Sequence, residues 1–303
     1  METTVLADTD TLIRLEEEVI GKPAAIVLLK GDAGDSVFDL PAGTIALGRG
    51  WSNDIILQST GVSRDHCRFQ VDERTQNITV EDLGSSNGTF INNNRIAANT
   101  PTELGEGDII NVGGSQAFKY IPKGDVSRLS HDKLQDQANI DALTNCFNKG
   151  YLQRRYPILF HKSEALKSAL SILVFDLDHF KKLNDGYGHD AGDYVLRELG
   201  RIVKEKGIEN NKELFIRYGG EEFTIILPDT EIDTACERAE AVRALIDTHP
   251  FVYEGQTLPV TSSIGVAART EATADPNTLF KKADAALYAA KNGGRNRVNC
   301  DRE

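Results

Sequence analysis

The sequence is poor in cysteine, in net positive charge and in long apolar runs, and each shortage argues against a class of protein. The four cysteines, Cys67, Cys146, Cys236 and Cys300, are widely scattered, which argues against a zinc site or a disulfide framework and predicts reduced thiols. A formal net charge of −12 argues against nucleic acid or an anionic membrane as a general partner, because both need a basic face.

No stretch of the sequence indicates a membrane or secretory segment. The longest apolar runs fall well short of the roughly 18 residues that a membrane span needs. The N-terminus lacks the basic start, apolar middle and small-residue cleavage site of a secretory signal. The sequence therefore predicts a cytoplasmic protein that does not associate with membranes.

The length and the hydropathy pattern predict two domains. A chain of 303 residues is expected to hold two domains of ordinary size. From about Ala24 to Tyr120, short apolar or alternating runs separated by turn residues predict an all-β sandwich. Beyond it, strand-like runs mixed with helical periodicity predict an α/β or α+β domain with a central sheet flanked by helices. The predicted segments are an acidic tail at 1–22, a β domain at 23–122, a linker helix at 123–140 and a second domain at 141–303.

Three loops of the predicted sandwich carry side chains suited to phosphate. They contain Gly48-Arg49-Gly50, Ser63-Arg64-Asp65-His66 and Gly84-Ser85-Ser86-Asn87-Gly88-Thr89. An arginine between glycines can present its guanidinium to a phosphate through two hydrogen bonds, while serine hydroxyls donate to the remaining oxygens. Each loop alone is also ordinary turn chemistry, because tight turns use Gly, Asn and Ser. Only the combination predicts an anion site.

In order and spacing these loops resemble the forkhead-associated (FHA) domain, with GR, then SxxH, then SSNGTF, over roughly residues 24 to 121. The resemblance implies binding of phosphothreonine peptides, with the asparagine of the third loop on the peptide backbone. His66 is expected to fix its loop instead of contacting the ligand. The expected phosphopeptide contacts are Arg49, Ser63, Arg64, Ser86 and Asn87.

The acidic tail holds candidate phosphothreonines. Thr3, Thr4, Thr9 and Thr11 lie there, and Thr3 and Thr9 each have a leucine three residues later, the position that FHA-like domains generally read. A phosphate adds about −1.5 to −2 charges and three acceptors, so a phosphorylated tail could dock on the Arg49 face in cis or between chains. The alternative of equal weight is a flexible start with incidental threonines.

The second domain combines acids at a strand end with cations that follow a later helix. Asp176 and Asp178 stand at the end of a buried-strand run, where hard oxygen ligands suit Mg²⁺ and substrate phosphates. Lys291 and Arg295 follow a helical segment and supply positive charge for phosphate groups. A strand that merely ends in acids is the alternative, unless other residues converge on the same place.

The segment RYGGEEF supplies that convergence. It lies between two apolar strand runs, which predicts a hairpin tip where Gly219 and Gly220 let a triphosphate approach the backbone. Glu221 and Glu222 follow at once. Carboxylates from two neighbouring strands around Mg²⁺ make a phosphoryl-transfer site.

Four segments resemble the GGDEF domain of diguanylate cyclases: FDLDHFKKLNDGYGHDAGDYVL, RYGGEEF, VTSSIGVA and DAALYAAKNGGRNRV. Their common order argues against chance similarity. The opening segment from Asp141, DALTNCFNKGYL, is also similar, although Lys149 stands where the family usually has arginine. The resemblance covers about residues 137 to 300 and implies an enzyme that acts on GTP with Mg²⁺, or with Mn²⁺ in its place.

The resemblance also implies roles for single residues. The metal is expected on Asp176, the backbone carbonyl of Leu177 and Glu221. Lys181 matches the family's phosphate-stabilising lysine, which we assign to catalysis with Glu221 and Glu222.

Asn184 and Asp193 match the guanine readers, and a carboxylate can accept from the N1–H and N2–H donors that adenine lacks. His189 either contacts substrate or only braces its loop. The remaining expected substrate contacts are Phe180, Gly219, Gly220, Lys291 and Arg295.

The implied reaction joins two GTP molecules into cyclic di-GMP and releases two pyrophosphates. Each 3′-hydroxyl attacks the α-phosphate of the other nucleotide, and the metal neutralises charge on the phosphoryl oxygens. Glu221 or Glu222 is placed to accept the hydroxyl proton, and we favour Glu221. Because one domain binds one GTP, catalysis requires a homodimer, whose association phosphopeptide binding is expected to regulate.

The sequence departs from the family at one regulatory motif. Members with product inhibition carry RxxD before the Gly-Gly motif, whereas this chain has Asn210 and Glu213 there. Without the arginine, this position has no guanidinium group to form paired hydrogen bonds with the product. Feedback inhibition by that route is therefore not expected, although other arginines could form a substitute site.

Two rival functions remain at this stage. The FHA domain could recruit a phosphoprotein while the second domain only binds nucleotide or acts as a scaffold. Inactive relatives usually lose the metal acid or a tip glycine, however, and this chain retains both. An adenylate-type cyclase is disfavoured because Asp193 is acidic.

Overall fold

The computed structural model describes residues 21–31 and 36–302. The chain divides into two compact units, and the division falls between Asp136 and Gln137. The candidate phosphothreonines at positions 3, 4, 9 and 11 lie outside the described residues. Within the described part of the chain, no helix combines the length and the apolar character needed to cross a bilayer.

The first unit is built from two β-sheets. One sheet has the order β2-β1-β11-β10-β7-β8 and the other has the order β4-β3-β5-β6-β9. The strands are β1 Ala24–Lys30, β2 Val37–Leu40, β3 Gly43–Gly48, β4 Ile55–Ile56, β5 Cys67–Val71, β6 Ile78–Asp82, β7 Thr89–Ile91, β8 Asn94–Arg95, β9 Thr102–Glu103, β10 Ile109–Val112 and β11 Gln116–Ile121. Apolar side chains from both sheets, among them Leu47, Phe69 and Phe118, share one core. The prediction of an all-β sandwich is confirmed.

A helix, α1 Ser127–Asn139, follows the sandwich in the segment where a linker helix is predicted. Its first turns are attached to the sandwich by charge pairs. The buried Arg128 guanidinium lies 2.6 Å from both Asp39 Oδ1 on β2 and Asp132 Oδ1 one turn later. Lys22 in turn lies 2.6 Å from Asp132 Oδ2. These contacts fix the start of α1 to the edge of the first sheet.

The second unit has a six-stranded sheet with helices on both faces, in the order β12-β14-β15-β13-β18-β19. The strands of this sheet are β12 Phe147–Asn148, β13 Leu170–Leu177, β14 Leu214–Gly219, β15 Glu222–Pro228, β18 Ser262–Ala268 and β19 Val298–Cys300. Two further strands, β16 Val252–Tyr253 and β17 Gln256–Thr257, pair with each other in a separate two-stranded sheet. The helices are α2 Lys149–Leu166, α3 Phe180–Tyr187, α4 His189–Lys206, α5 Ile232–Thr248 and α6 Pro276–Asn292. The predicted central sheet with flanking helices is confirmed.

Two apolar clusters explain this layering. Every residue of β13 is buried, because alternate side chains face different helices. Phe175 and its neighbours pack with α3, α4 and α5 on one face. Ile172 and Val174 pack with α2 and α6 on the other face. The carboxyl end of β13 therefore opens between helices from both layers.

The expectation of four reduced thiols is wrong for one pair. Cys236 on α5 and Cys300 on β19 form a disulfide, with their Cα atoms 6.3 Å apart. A sequence separation of 64 hides the pairing in the sequence, and only the packing of α5 beside the edge strand brings the two cysteines together. Cys67 and Cys146 are buried thiols, and burial raises their pKa values to about 12 and about 11. Both stay protonated and unreactive at neutral pH.

Candidate active site and phosphopeptide site

The centre of the candidate active site is Asp176 at the end of β13. Its strand neighbours in register are Glu222 on β15 and Ser263 on β18. Asp176 is only 8% exposed, and this burial, reinforced by the charges of Glu221 and Glu222, raises its pKa to about 6. Lys291 opposes the shift, since its Nζ lies 3.0 Å from Asp176 Oδ1. Three of the predicted carboxylates and one predicted cation thus act on one another.

The glycine-rich segment forms the tip of the hairpin between β14 and β15. Gly220 has a φ of +52°, a left-handed conformation that glycine adopts without strain. Arg217 donates from Nε and Nη2 to the carbonyl of Gly220 at 3.1 and 3.0 Å, and its Nη1 lies 3.0 Å from Asp141 Oδ1. The backbone N–H of Leu177 donates to the Glu221 carbonyl at 3.3 Å. These contacts bring the hairpin tip to the end of β13.

The role of Arg217 does not follow from the local sequence. Its partner Asp141 is 76 residues away and also accepts from Thr144 N at 2.9 Å and Thr144 Oγ1 at 2.7 Å. The opening segment of the domain therefore braces the hairpin. Lys149 lies 4.0 Å over the ring of Tyr218, so the lysine at this position contacts the same hairpin.

The donor set at this end of the sheet fits a divalent cation. Across the described residues, no group of three or more His, Cys, Asp or Glu side chains is arranged to hold a metal ion. The predicted set needs only two carboxylates, from Asp176 and Glu221, with the backbone carbonyl of Leu177. Burial makes ionisation of Asp176 unfavourable, and a cation on these oxygens would offset that cost.

The predicted guanine readers Asn184 and Asp193 lie on the α3–α4 pair, together with Lys181 and His189. Lys181 and Asn184 lie on α3, whereas His189 and Asp193 lie in the first turns of α4, and all except Asn184 are exposed. Asn184 Oδ1 is buried without a hydrogen-bond partner, which leaves an acceptor for a ligand donor.

Gly192 is a residue that sequence reasoning missed. A Cβ atom there would lie 1.9 Å from Asn184 Oδ1, so a larger residue at this position would force the asparagine side chain to move. The glycine therefore allows Asn184 to keep its observed position beside α4.

The two predicted phosphate contacts, Lys291 and Arg295, lie at and just beyond the end of α6. Lys291 lies in its last turn, and Arg295 lies in the loop that leads to β19, with a left-handed φ of +64°. Asp178 is buried and accepts hydrogen bonds from Thr261 and Ser263 side chains and from the Asn296 backbone. Its oxygens are therefore engaged by protein donors.

The positions that correspond to RxxD form contacts within their own domain. Glu213 is buried, accepts from Asn210 Nδ2 at 2.8 Å and pairs with Arg238 at 2.9 Å. Arg238 also pairs with Glu209 at 2.8 Å and donates to the Gly207 carbonyl at 2.8 Å. The Glu213 carboxylate is therefore paired with groups of its own domain.

In the first unit, hydrogen bonds hold the three polar loops side by side. Arg49 N donates to the Ser63 carbonyl at 2.8 Å, and Arg49 Nε donates to the Val62 carbonyl at 3.2 Å. Ser63 Oγ accepts from Ser86 N at 3.1 Å, and Asn87 Nδ2 donates to the Gly61 carbonyl at 2.8 Å. Arg49, Arg64, Ser86 and Asn87 are exposed, so the loops present one polar surface.

His66 and Asn53 brace this surface from below. His66 is fully buried, its Nδ1 accepts from Ser63 N at 3.0 Å, and its Nε2 lies 3.2 Å from the Gly88 carbonyl. Burial lowers its pKa, so the ring is neutral and donates from Nε2. Asn53 Nδ2 donates to the carbonyls of Gly50 and Arg64, an internal link that the sequence did not reveal.

Two separate parts of the chain match two known families. Residues 138–297 match the model of the family described as diguanylate cyclase, GGDEF domain. Residues 45–113 match the model of the FHA domain.

Among individual proteins, the chain is 36% identical over 173 residues to diguanylate cyclase A of Treponema denticola, covering 56% of this chain and 46% of that protein. It is 38% identical over 176 residues to the response regulator PleD of Caulobacter vibrioides, covering 57% and 38%. The chain thus spans half or less of the length of these two relatives. The crystal structure of the coiled coil and GGDEF domain of DgcB from Caulobacter crescentus in complex with c-di-GMP superposes with a TM-score of 0.54 at 29% identity, covering 58% of this chain and 93% of that one. With its family match over more than half of its residues and its GGEEF hairpin beside the end of β13, this chain belongs to the GGDEF family and carries an FHA domain ahead of the GGDEF domain.

Proposed function

We propose that this protein is a diguanylate cyclase, which condenses two GTP molecules into cyclic di-GMP and two pyrophosphates under control of a phosphothreonine peptide bound to the FHA domain. The observation that carries the proposal is the convergence of Asp176, Glu221 and Glu222 with Lys291 at the end of β13. A fold alone does not define chemistry, but carboxylates held next to a phosphate-binding cation do suit phosphoryl transfer.

Asp176, the Leu177 carbonyl and Glu221 would hold Mg²⁺, or Mn²⁺, in this site. When bound, the ion would neutralise charge on the phosphoryl oxygens. Lys291, Arg295 and Lys181 would contact the phosphate groups, and the backbone of Gly219 and Gly220 allows their close approach.

The guanine base would lie against the α3–α4 pair. Asn184 offers its buried, unpartnered Oδ1, and Asp193 offers a carboxylate to the N1–H and N2–H donors. Phe180 is buried at the start of α3 and would support the base-binding turn. His189 starts α4 at an exposed position, where it is available to substrate.

In each half-reaction, the 3′-oxygen of one GTP forms a bond to the α-phosphorus of the other, and the bond to the pyrophosphate oxygen breaks. The hydroxyl proton passes to a carboxylate at the hairpin tip, for which Glu221 is the first candidate and Glu222 the second. Because one domain offers one base site, two copies of the chain must face each other, so activity requires a homodimer.

The FHA domain would supply the regulatory input. Arg49, Ser63 and Ser86 would bind the phosphate and Asn87 the peptide backbone, with Arg64 beside them. The surface formed by these loops is consistent with this role, since its donors are held in place by bonds between the loops.

The ligand would be a phosphothreonine peptide in trans or the chain's own phosphorylated N-terminal tail in cis. Removing residues 1–18 tests the second source. If the tail is the ligand, kinase treatment changes the output of the full chain and leaves the truncated chain unchanged. An identical response of both proteins would reject docking of the tail.

One assay decides whether the protein is a cyclase or a nucleotide-binding scaffold. Purified protein is incubated with GTP and Mg²⁺ and the nucleotides are separated by chromatography, with Asp176→Ala and Glu222→Gln as variants. Cyclic di-GMP from the wild type and none from either variant would support the proposal. Bound but unconverted GTP would favour the scaffold, and full turnover by Asp176→Ala would overturn the metal assignment.

A further inference from the structure

Asp178 is a buried carboxylate that the proposed mechanism does not use. It is 8% exposed. Its Oδ1 accepts from Ser263 Oγ at 2.7 Å, and its Oδ2 accepts from Thr261 Oγ1 at 2.8 Å and from Asn296 N at 2.9 Å. The side chain therefore connects the ends of β13 and β18 with the loop that follows α6.

That loop has an unusual backbone. Arg295 and Asn296 are consecutive non-glycine residues with left-handed φ values of +64° and +45°, which persist only where the surroundings impose them. Asn296 is held on two sides, by Asp178 at its N–H and by Arg243 Nη1, which donates to its Oδ1 at 2.6 Å. Arg297 Nε then donates to the Arg295 carbonyl at 3.1 Å.

Asp178 is also tied to the sheet through its own backbone. The N–H of Asp178 donates to the Thr261 carbonyl at 2.9 Å, and the Thr261 hydroxyl donates to the Asp178 carboxylate. Because both the backbone and the side chain of Asp178 are bonded to the sheet, the position of Asn296 is defined relative to β13, the strand that also carries Asp176.

We propose that Asp178 is a positioning residue for Arg295: by fixing the adjacent Asn296 to the sheet, it holds the guanidinium-bearing loop at the phosphate side of the site. This inference rests on the proposed function, because it requires Arg295 to contact the phosphates of GTP. We assign Asp178 no direct contact with substrate or metal, because protein donors engage both of its carboxylate oxygens.

The test measures binding separately from turnover. The dissociation constant of α,β-methylene-GTP, whose bridging carbon cannot leave as pyrophosphate, is measured with Mg²⁺ for the wild type and for Asp178→Ala, Asp178→Asn, Arg295→Ala and the Asp178→Ala/Arg295→Ala double variant. KM and kcat for GTP are measured in parallel. Asp275→Ala is the matched control, because Asp275 caps the opposite end of α6 through Thr278 N at 3.0 Å and has no contact with the loop.

We expect Asp178→Ala to weaken analogue binding on the order of tenfold and to raise KM more than it lowers kcat. The double variant should bind no more weakly than Arg295→Ala alone, because both substitutions remove the same contact between Arg295 and the phosphates. Asp178→Asn keeps an acceptor for Asn296 N–H and should restore binding to within about threefold of the wild type. The control should lose thermal stability and keep wild-type affinity.

The proposal is overturned if Asp178→Ala binds the analogue as the wild type does. It is also overturned if, in the double variant, the affinity lost through Asp178→Ala adds in full to the affinity lost through Arg295→Ala. It is also overturned if the wild type does not bind the analogue. A wild type that binds the analogue but makes no cyclic di-GMP refutes the proposed function, while the binding series still decides the role of Asp178. If Asp178→Ala does not fold, Asp178→Ser, whose shorter hydroxyl cannot reach Asn296, takes its place.

Discussion

Lys291 Nζ lies 3.0 Å from Asp176 Oδ1, which joins the last turn of α6 to the end of β13. Even with this ion pair, burial and the nearby Glu221 and Glu222 raise the pKa of Asp176 to about 6. The apolar fold therefore does not favour the carboxylate form, although that form is the one that binds metal. A site of this kind carries a functional charge at a cost in stability.

This cost predicts a pH-dependent stability difference for Asp176→Asn. The folded-state pKa is raised from 3.8 to about 6, so the folded wild type loses stability as pH rises from about 4 through 6, by about 3 kcal/mol once ionised. Without metal or nucleotide, the variant should unfold at a higher temperature than the wild type at pH 7.5, with a smaller difference at pH 5. Thermal unfolding at both pH values measures this, and a variant less stable at pH 7.5 contradicts it.

The same pKa predicts how metal affinity depends on pH. Since Asp176 must be ionised to bind a cation, the apparent affinity for Mg²⁺ should fall as pH drops below about 6. Turnover at subsaturating Mg²⁺ should fall with it and recover when Mg²⁺ is raised. Initial rates over a matrix of pH and Mg²⁺ concentrations test this. A decline at low pH that excess Mg²⁺ does not reverse would assign it to another group.

Gly192→Ala should damage guanine recognition without unfolding the protein. The added methyl group would lie 1.9 Å from Asn184 Oδ1, and the asparagine side chain can move aside more easily than the helix backbone. KM for GTP should rise about tenfold or more, while kcat changes little. Gly186→Ala is the control, because a Cβ at Gly186 meets no atom within 4 Å. Equal KM values for both variants would contradict the role of Gly192.

Arg49→Ala should abolish binding of a phosphothreonine peptide and leave basal cyclase activity unchanged. Arg49 is one of the two exposed arginines of the loop surface and is the one assigned to the phosphate, so its loss removes the main charged partner of that group. Fluorescence anisotropy with a labelled peptide, phosphorylated or not, measures the effect. Arg74→Ala provides the matched control, since Arg74 is exposed in the turn between β5 and β6. Unchanged peptide affinity in Arg49→Ala would refute its assignment.

Local pattern was enough to predict the layers and the strand end that carries Asp176, because alternation and apolar runs are encoded within single elements. The hairpin tip was likewise predicted from glycines between two apolar runs. The bracing of Gly220 by Arg217 and Asp141 was not, since it joins residues 76 positions apart. The close approach of Gly192 to Asn184 and the Cys236–Cys300 pair escaped prediction for the same reason: each depends on how two elements pack.

The internal pairing of Glu213 predicts that product does not inhibit the proposed cyclase through the RxxD route. Arg238 occupies the carboxylate, and Asn210 supplies no guanidinium for a product phosphate or base. Initial rates of the wild type should therefore be unchanged when cyclic di-GMP is added at the start. The Asn210→Arg/Glu213→Asp double variant restores the motif and should become sensitive to added product, whereas Glu213→Asp alone should not. Strong inhibition of the wild type would show that other arginines form a product site.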